Sequence, residues 1–338
     1  LLTFWPSLVI LRRVLRRGSM KRVILIDALN MLYRAYIVDP SLSTNGYPIG
    51  GIKGFLKILQ KMVREMKPDR VIIAWDGIGG SKRRKLVQKD YKAGRKPIRL
   101  NRDIRNMSEN EEIENKIWQQ TRLTQYLNEL PIIQTMVPHI EADDVIAYAV
   151  QMPHFKGWQK VIISSDKDFI QLCDDETVLY RPIQKVFLNA KRVVEEYGIH
   201  PANFALARAI SGDKSDNLKG VGGVGMKTVA KRFPFLSEEK AHYISSLIEH
   251  CGEMKEEKAK VYQTIQENVG VIDQNYKLMQ LYSPNIPIQG KQSVRHAIED
   301  FVPEFNKTGT IKMMTEDGFG AFDWSSLFQN MKHITTEK

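Results

Sequence analysis

Between Val137 and Leu172 the chain reads VPHIEADDVIAYAV and then, after a short connection, VIISSDKDFIQL. The first run puts Glu141, Asp143 and Asp144 at the start of an apolar-periodic helix. The second puts Asp166 and Asp168 at the carboxyl end of a strand, Lys160–Ser164. Two more apolar runs, Arg22–Ile26 and Arg70–Trp75, read as buried parallel strands, and each is followed at once by an acid, Asp27 and Asp76. Further on, GDKSDN spaces Asp213 and Asp216 three apart, so a helix end there would put both on one side. Nine carboxylates at equivalent ends of different elements cannot all ionise without a strong counter-charge. Hard divalent cations, which take oxygen ligands, supply one. His139 lies beside Glu141 but has no second histidine at ligand spacing, and it reads as structural.

The elements that must position these acids alternate strand and helix, which predicts an α/β fold with a mostly parallel sheet and helices on both faces. Helices are expected over MLYRAYIV, Gly50–Met66, Ile113–Leu130 and Ala190–Tyr197, and strands over Pro131–Met136 and Thr177–Tyr180. Ligands of open α/β sheets bind at the carboxyl ends of the strands, where the acids stand.

Charge narrows the ligand. The 338 residues carry 50 Lys and Arg against 39 Asp and Glu, a net +11, so with the acids gathered at one edge the remaining surface is more basic still. A polyanionic partner is the economical inference. Composition, 43% hydrophobic, excludes a disordered chain, and two distant cysteines, Cys173 and Cys251, argue against a disulfide scaffold, a zinc site and secretion. Residues 1–19 hold an apolar stretch of only about ten residues, too short to span a bilayer. Its arginines follow the apolar run, the wrong order for a signal peptide. They are expected to be a non-native or disordered extension ahead of Met20.

From Lys82 to Arg105 there are eleven Lys and Arg against two Asp. Such a long insertion between strands reads as a cap over the acids, with Arg84, Lys92 and Arg95 set to neutralise phosphates and Tyr91 to stack on a base. Arg34, on the helix after Asp27, is placed either to hold a phosphate or to pair with an acid. GVGGVG, followed by MKTVAKRF, forms a glycine-permissive turn before a helix: an ordinary turn, a nucleotide loop, or a site whose N–H groups and carbonyls meet a duplex phosphate and a monovalent cation. It lacks the Walker Gly-Lys-Ser/Thr order. The aromatic C-terminus, including Phe319, Phe322, Trp324, Leu327 and Phe328, reads as a short tail that packs on the body or docks a partner such as a sliding clamp or single-strand-binding protein.

Taken together, IDALNMLYRAY, AWDG, RRKLVQKDYKAGR, EADD, SSDKDFIQL and GDKSDNLKGVGGVGMKT occur in the order of the 5′-nuclease superfamily, which the chain resembles from Met20 to Phe235. That superfamily includes flap endonucleases, the 5′-nuclease domain of bacterial DNA polymerase I and phage 5′→3′ exonucleases. The C-terminal part is more similar to bacteriophage members, including the ribonuclease H of T-even phages. The resemblance implies a PIN-like core over 20–180 with a helical arch at 77–128, a helix-three-turn-helix and helical region over 181–307, and a tail over 308–338. It implies that Asp27, Asp76, Glu141, Asp143, Asp144, Asp166, Asp168, Asp213 and Asp216 hold two Mg²⁺ ions, with Mn²⁺ as substitute. Asp27, Asp76, Glu141 and Asp143 are assigned to one ion and Asp166 and Asp168 to the other, with Asp213 and Asp216 acting through water.

By the same resemblance Lys92 and Arg95 contact the scissile phosphate with Arg84 nearby, and Gly220, Gly222, Gly225, Lys227 and Thr228 belong to a duplex-binding turn that also takes K⁺. The expected activity is cleavage of branched or nicked DNA and RNA–DNA hybrid near a 5′ end, by a cytoplasmic monomer without membrane attachment, removing primers or flaps during replication. A structure-specific DNA-binding factor without turnover is the rival from another class.

Overall fold

The computed structural model of the chain describes residues 20–101, 103, 104, 106–254 and 260–335; the expected extension 1–19 lies outside the described residues. β1 (Arg22–Asp27) runs into α1 (Ala28–Val38), then α2 (Gly50–Met66) leads to β2 (Arg70–Trp75). The insertion holds α3 (Lys82–Val87), and α4 (Glu109–Asn128) returns to β3 (Ile133–Met136). α5 (Ala142–Val150), β4 (Gln159–Ile163), β5 (Thr177–Arg181) and β6 (Val186–Leu188) complete the sheet. Its order is β3-β2-β1-β4-β5-β6, parallel except for β6. The chain moves outward from β1 through β2 and β3, then crosses back to β4 on the other side of β1. A crevice opens where the order reverses, between the carboxyl ends of β1 and β4.

Alternation along β1 divides the core. Ile24 and Ile26 face α1 and α2, whereas Val23 and Leu25 face α5, and all four are fully buried. On the α5 side the sheet is extended by α6 (Ala190–Tyr197), α7 (Pro201–Ser211), the small hairpin of β7 (Gly212–Asp213) and β8 (Leu218–Lys219), and α8 (Met226–Arg232). Next come α9 (Ile244–Glu253), α10 (Lys260–Glu267), α11 (Val269–Met279) and α12 (Ile288–Glu299). α11 lies against α7, where the buried Asn275 amide donates to the carbonyls of Ala209 and Lys219. No helix among the described residues is long and apolar enough to cross a membrane.

One expected boundary changes. The arch is expected over 77–128, but α4 is anchored to the body: Gln119 Oε1 accepts the Ile52 N–H, the Asn115 amide donates to the Pro48 carbonyl, and Leu123, Tyr126 and Leu127 are buried. Buried amides do much of this anchoring, so the ENEEIENKIWQQ half of the helix shows no clear apolar stripe. The part that rises over the crevice is thus confined to the stretch before α4.

The C-terminal stretch packs on the body, one of its two expected alternatives. α13 (Lys307–Glu316) and α14 (Trp324–Thr335), with the turn between them, carry Met314, Phe319, Leu327, Met331 and Ile334 into the same core as α2. Arg122 Nε donates to Asp317 at 2.7 Å, and Lys53 Nζ donates to the Phe319 carbonyl at 2.9 Å. Phe319 and Leu327 are therefore committed to the core and not offered to a partner. Leu327→Ala should cost about 2–5 kcal/mol of unfolding free energy, as a cavity in a packed interior does. Urea denaturation checks this, and a loss below about 0.5 kcal/mol would return the segment to the status of a loose tail.

Candidate functional site

The crevice is an open cavity of about 840 Å³ lined by Asp27, Asp76, Glu141, Asp143, Asp166 and Asp213 among others. Each acid is set by the end of an element. Asp27 closes β1 and caps α1, accepting from Asn30 N–H and the Ser164 hydroxyl, both at 3.2 Å. Asp76 follows β2 and accepts the Ala142 N–H at 2.6 Å, which clips the first turn of α5 to the strand end. Glu141 is the N-cap residue of α5, and Asp143 and Asp144 occupy its first turn, where the free N–H groups favour anions. Asp166 and Asp168 follow β4, with the Asp168 N–H donating to Asp166 at 2.9 Å.

Asp213 and Asp216 are not on a helix end. Gly212, at φ +76° and with Gly220 packed against it, breaks α7 into the β7–β8 hairpin, and the two acids stand on its strand and turn. The outcome is nevertheless convergence: ligand oxygens of Asp168, Asp213 and Asp216 lie within 4.8 Å of one another.

Cations from other elements offset this charge. Arg84 from α3 binds Glu141 at 2.7 Å, Asp143 at 3.3 Å and Asp144 at 3.0 Å, and its Nε donates to the Leu278 carbonyl of α11. Lys92 Nζ reaches Glu141 at 2.8 Å, and Arg95 pairs with Asp216. Lys92 adopts a left-handed backbone, φ 58°, held by its own N–H donating to the Asp216 carbonyl at 2.9 Å. Such a conformation is costly for a residue other than glycine and clusters at functional sites.

Tyr91, expected to stack on a base, does not line the cavity. It is 2% exposed, and its hydroxyl contacts Glu141 at 3.3 Å and Asp216 at 3.2 Å, so its role lies beneath the arch. Arg84 is likewise enclosed by three carboxylates and held back from the open cavity. Asp144 turns away towards Arg84 and the Asn285 N–H. Arg34 lines the cavity. Gly222 and Gly225 are exposed on the turn before α8 and Lys227 is exposed in its first turn, Thr228 and Gly220 are half-buried, and none of them lines the cavity. His139, at φ 63°, donates its N–H to the Ile78 carbonyl beside the strand end.

Arg208 is absent from the residues the sequence singles out. From α7 it pairs with Asp168 at 3.2 Å and with Asp213. A signal for it exists: it is the only charged residue in PANFALARAIS.

Protonation follows from burial. Burial first, then Asp76, pushes the Asp27 carboxyl up to about 7, and burial with Asp143 pushes Asp144 up to about 7. Burial raises Asp76 and Asp166 too, and Asp168 well above the ordinary range. At Asp213 burial acts upward but Arg208 and Ser215 outweigh it, leaving the carboxyl below its usual value. Burial keeps the Tyr91 hydroxyl protonated. The donors are carboxylate oxygens without thiol or imidazole, gathered around a crevice that leaves Asp76 and Asp166 open to solvent, which fits a hard divalent cation such as Mg²⁺.

The comparisons with known proteins agree with this geometry. The family described as the 5′-3′ exonuclease, N-terminal resolvase-like domain matches residues 22–198. The 5′-3′ exonuclease of Aquifex aeolicus is 31% identical over 212 residues, 62% of this chain and 68% of that protein. DNA polymerase I of Bacillus subtilis is 31% identical over 248 residues, 72% of this chain but only 26% of that longer protein. The bacteriophage T5 flap endonuclease, solved as a pseudo-enzyme–product complex with DNA and metal ions, matches with a TM-score of 0.62 at 17% identity, covering 89% of this chain and 100% of that one. At that identity the likeness is one of fold.

The raised carboxyls fix the sign of a pH effect. Between their ordinary value of 3.8 and about 7, Asp27 and Asp144 hold protons in the folded chain that the unfolded chain has released. Their contribution to stability is full below the unfolded value and is lost as pH rises towards 7. In EDTA the melting temperature should therefore fall from about pH 5 to about pH 8, while the increment given by Mg²⁺, which needs ionised carboxylates, should grow over the same range. Calorimetry in both buffers checks it; an increment from Mg²⁺ that is independent of pH would contradict these protonation states.

Proposed function

The chain belongs to the 5′-3′ exonuclease N-terminal, resolvase-like domain family and is a nuclease; from that premise we propose that it hydrolyses phosphodiester bonds at or near the 5′ end of a strand on branched or nicked duplexes, with Mg²⁺ as cofactor. The observation that carries this reading is the gathering of carboxylates from separate strand and helix ends around one crevice, beneath two arch cations, Lys92 and Arg95. Asp27, Asp76, Glu141 and Asp143 would hold one divalent ion, and Asp166 with Asp168, Asp213 and Asp216 the second. Bound ions of this kind lower the pKa of a water towards neutrality and stabilise the departing oxygen.

The chain's own residues then do the positioning. Asp144, through Arg84 and Asn285, sets the orientation of α5's first turn. Tyr91, protonated, donates towards Glu141 or Asp216 and holds the two acid groups in register. Lys92 and Arg95 stand where they can leave a carboxylate for the phosphate that develops charge. The exposed turn Gly220–Gly225 with Lys227 presents backbone to the duplex, and a monovalent cation such as K⁺ would sit against its carbonyls. Because the acids act on phosphate and not on the sugar, an RNA 5′ strand on DNA is a reasonable substrate beside DNA, which would make primer removal part of the activity.

Cleavage of a 5′-labelled flap duplex and of a nicked RNA–DNA hybrid in Mg²⁺ tests the reading. Asp166→Asn should lower the rate by at least about 10²-fold, and Lys92→Ala by about 10²–10³-fold, the range for removing one group that stabilises transition-state charge. Salt-sensitive binding of both substrates without product in Mg²⁺ or Mn²⁺ would demote the acids to a structural site on a binding protein.

A further inference from the structure

The same cavity has a second wall, on the β5 side, that the acids and the arch leave unexplained. Arg181, the last residue of β5, is 8% exposed; its Nη2 donates to the Ser165 carbonyl at 3.3 Å, and its Nε is buried without a hydrogen-bond partner. The Ser165 hydroxyl and the Nη1 of Arg34 are buried and unpartnered as well. All three residues line the cavity that holds the acids. Lys92, Arg95 and Arg208 each sit on a carboxylate, as does Arg84, whereas among the described residues Arg34 and Arg181, like the exposed Lys167, have no carboxylate within 4 Å; of these three only the two arginines carry buried, unpartnered nitrogens.

A buried guanidinium nitrogen left without a partner is expensive, and here the buried Arg181 and the half-buried Arg34 each hold one, beside an orphaned hydroxyl. A guanidinium fork matches the tetrahedral oxygens of a phosphate better than any other common anion. Exposed Ile37, Val38 and Ile183 rim the cavity beside these residues, an apolar surface suited to a sugar or base and not to a free inorganic ion.

We propose that Arg181, Ser165 and Arg34 form a phosphate subsite that holds a second phosphate of the strand being cut, distinct from the scissile one. This rests on the nuclease reading above and deepens it, since two anchored phosphates would fix the register of the strand across the acids. The phosphate is either an internal phosphodiester or a 5′-terminal monophosphate, which share this chemistry.

The test is a cycle between protein and substrate. Flap substrates carrying one neutral methylphosphonate at successive linkages, and flaps with or without a 5′-phosphate, are cut in Mg²⁺ by the wild type, Arg181→Gln and Arg34→Gln, with kcat and KM measured separately. One linkage should cost the wild type about 10–100-fold in kcat/KM, the range for losing a hydrogen bond to a charged group, yet cost Arg181→Gln less than about twofold. Loss of that coupling to the 5′-phosphate instead identifies the terminal group as the occupant. If the penalties multiply independently at every linkage and at the terminus, the subsite is overturned while the nuclease reading stands. A wild type that cuts none of these substrates overturns both. Should Arg181→Gln fail to fold, Arg181→Lys and Ser165→Ala carry the same cycle, because each keeps most of the volume while removing the fork or the hydroxyl.

Discussion

Like charges crowded at the carboxyl end of a parallel sheet repel one another, and most of the architecture around the crevice is an answer to that repulsion. Three strands, β1, β2 and β4, deliver acids there because each one ends there, and no change of side chain moves a strand end. The counter-charges come from elsewhere in the chain: Arg84 and Lys92 from the insertion after β2, Arg95 from the same insertion, Arg208 from α7. Removing one partner from such a group strands the other, which is far more costly than never having built the pair. The insertion and α7 are thus held to the sheet by the acids they neutralise, in addition to their apolar contacts.

This has a mechanical consequence. The base of the arch is tied to the β7–β8 hairpin at several points: Lys92 N–H to the Asp216 carbonyl, the Asn217 amide to the Asp90 carbonyl, and Arg95 to Ser215 and Asp216. The hairpin leads within a few residues into the glycine turn, and α11 braces both sides, through Asn275 on the hairpin and through the Leu278 carbonyl on Arg84. A load on the glycine turn reaches the acids through one short, hydrogen-bonded path. Tyr91, buried between Glu141 and Asp216, is the point where the arch, α5 and the hairpin meet.

Where the sequence was legible, the reason was a strong local period or a residue type with few alternatives. The runs Arg70–Trp75, Gly50–Met66 and Ala190–Tyr197 are bounded in the structure as the pattern predicts. The acids declared themselves because a strand end followed by an aspartate recurs. What was hidden depends on packing between distant segments. Tyr91 sits in a basic, polar stretch that gives no sign of burial; only the arrival of Asp216 and Glu141 from 125 and 50 residues away encloses it. The amphipathic signal of α14 says that it has an apolar face, not whether that face meets this core or another protein. The turn at Asp213 escaped because two glycines, Gly212 and Gly220, must approach within the space of a missing Cβ, a tertiary demand with no periodicity.

The sheet order also decides how charge is divided within the crevice. β1 stands at the switch point, with β2 and α5 on one side and β4 and β5 on the other. Arch cations come only from the β2 side, since the insertion leaves from there, and they are consumed by Glu141, Asp143, Asp144 and Asp216. Across the crevice Arg208, from α7, is consumed by Asp168 and Asp213, which leaves Arg181 at the end of β5 and Arg34 on α1 without a carboxylate among the described residues. A strand of nucleic acid laid across this crevice would pass from paired cations, over the acids, to unpaired ones. That asymmetry gives the cleft a direction, which a symmetrical ring of carboxylates would lack, and a nuclease that distinguishes one end of a strand from the other requires one.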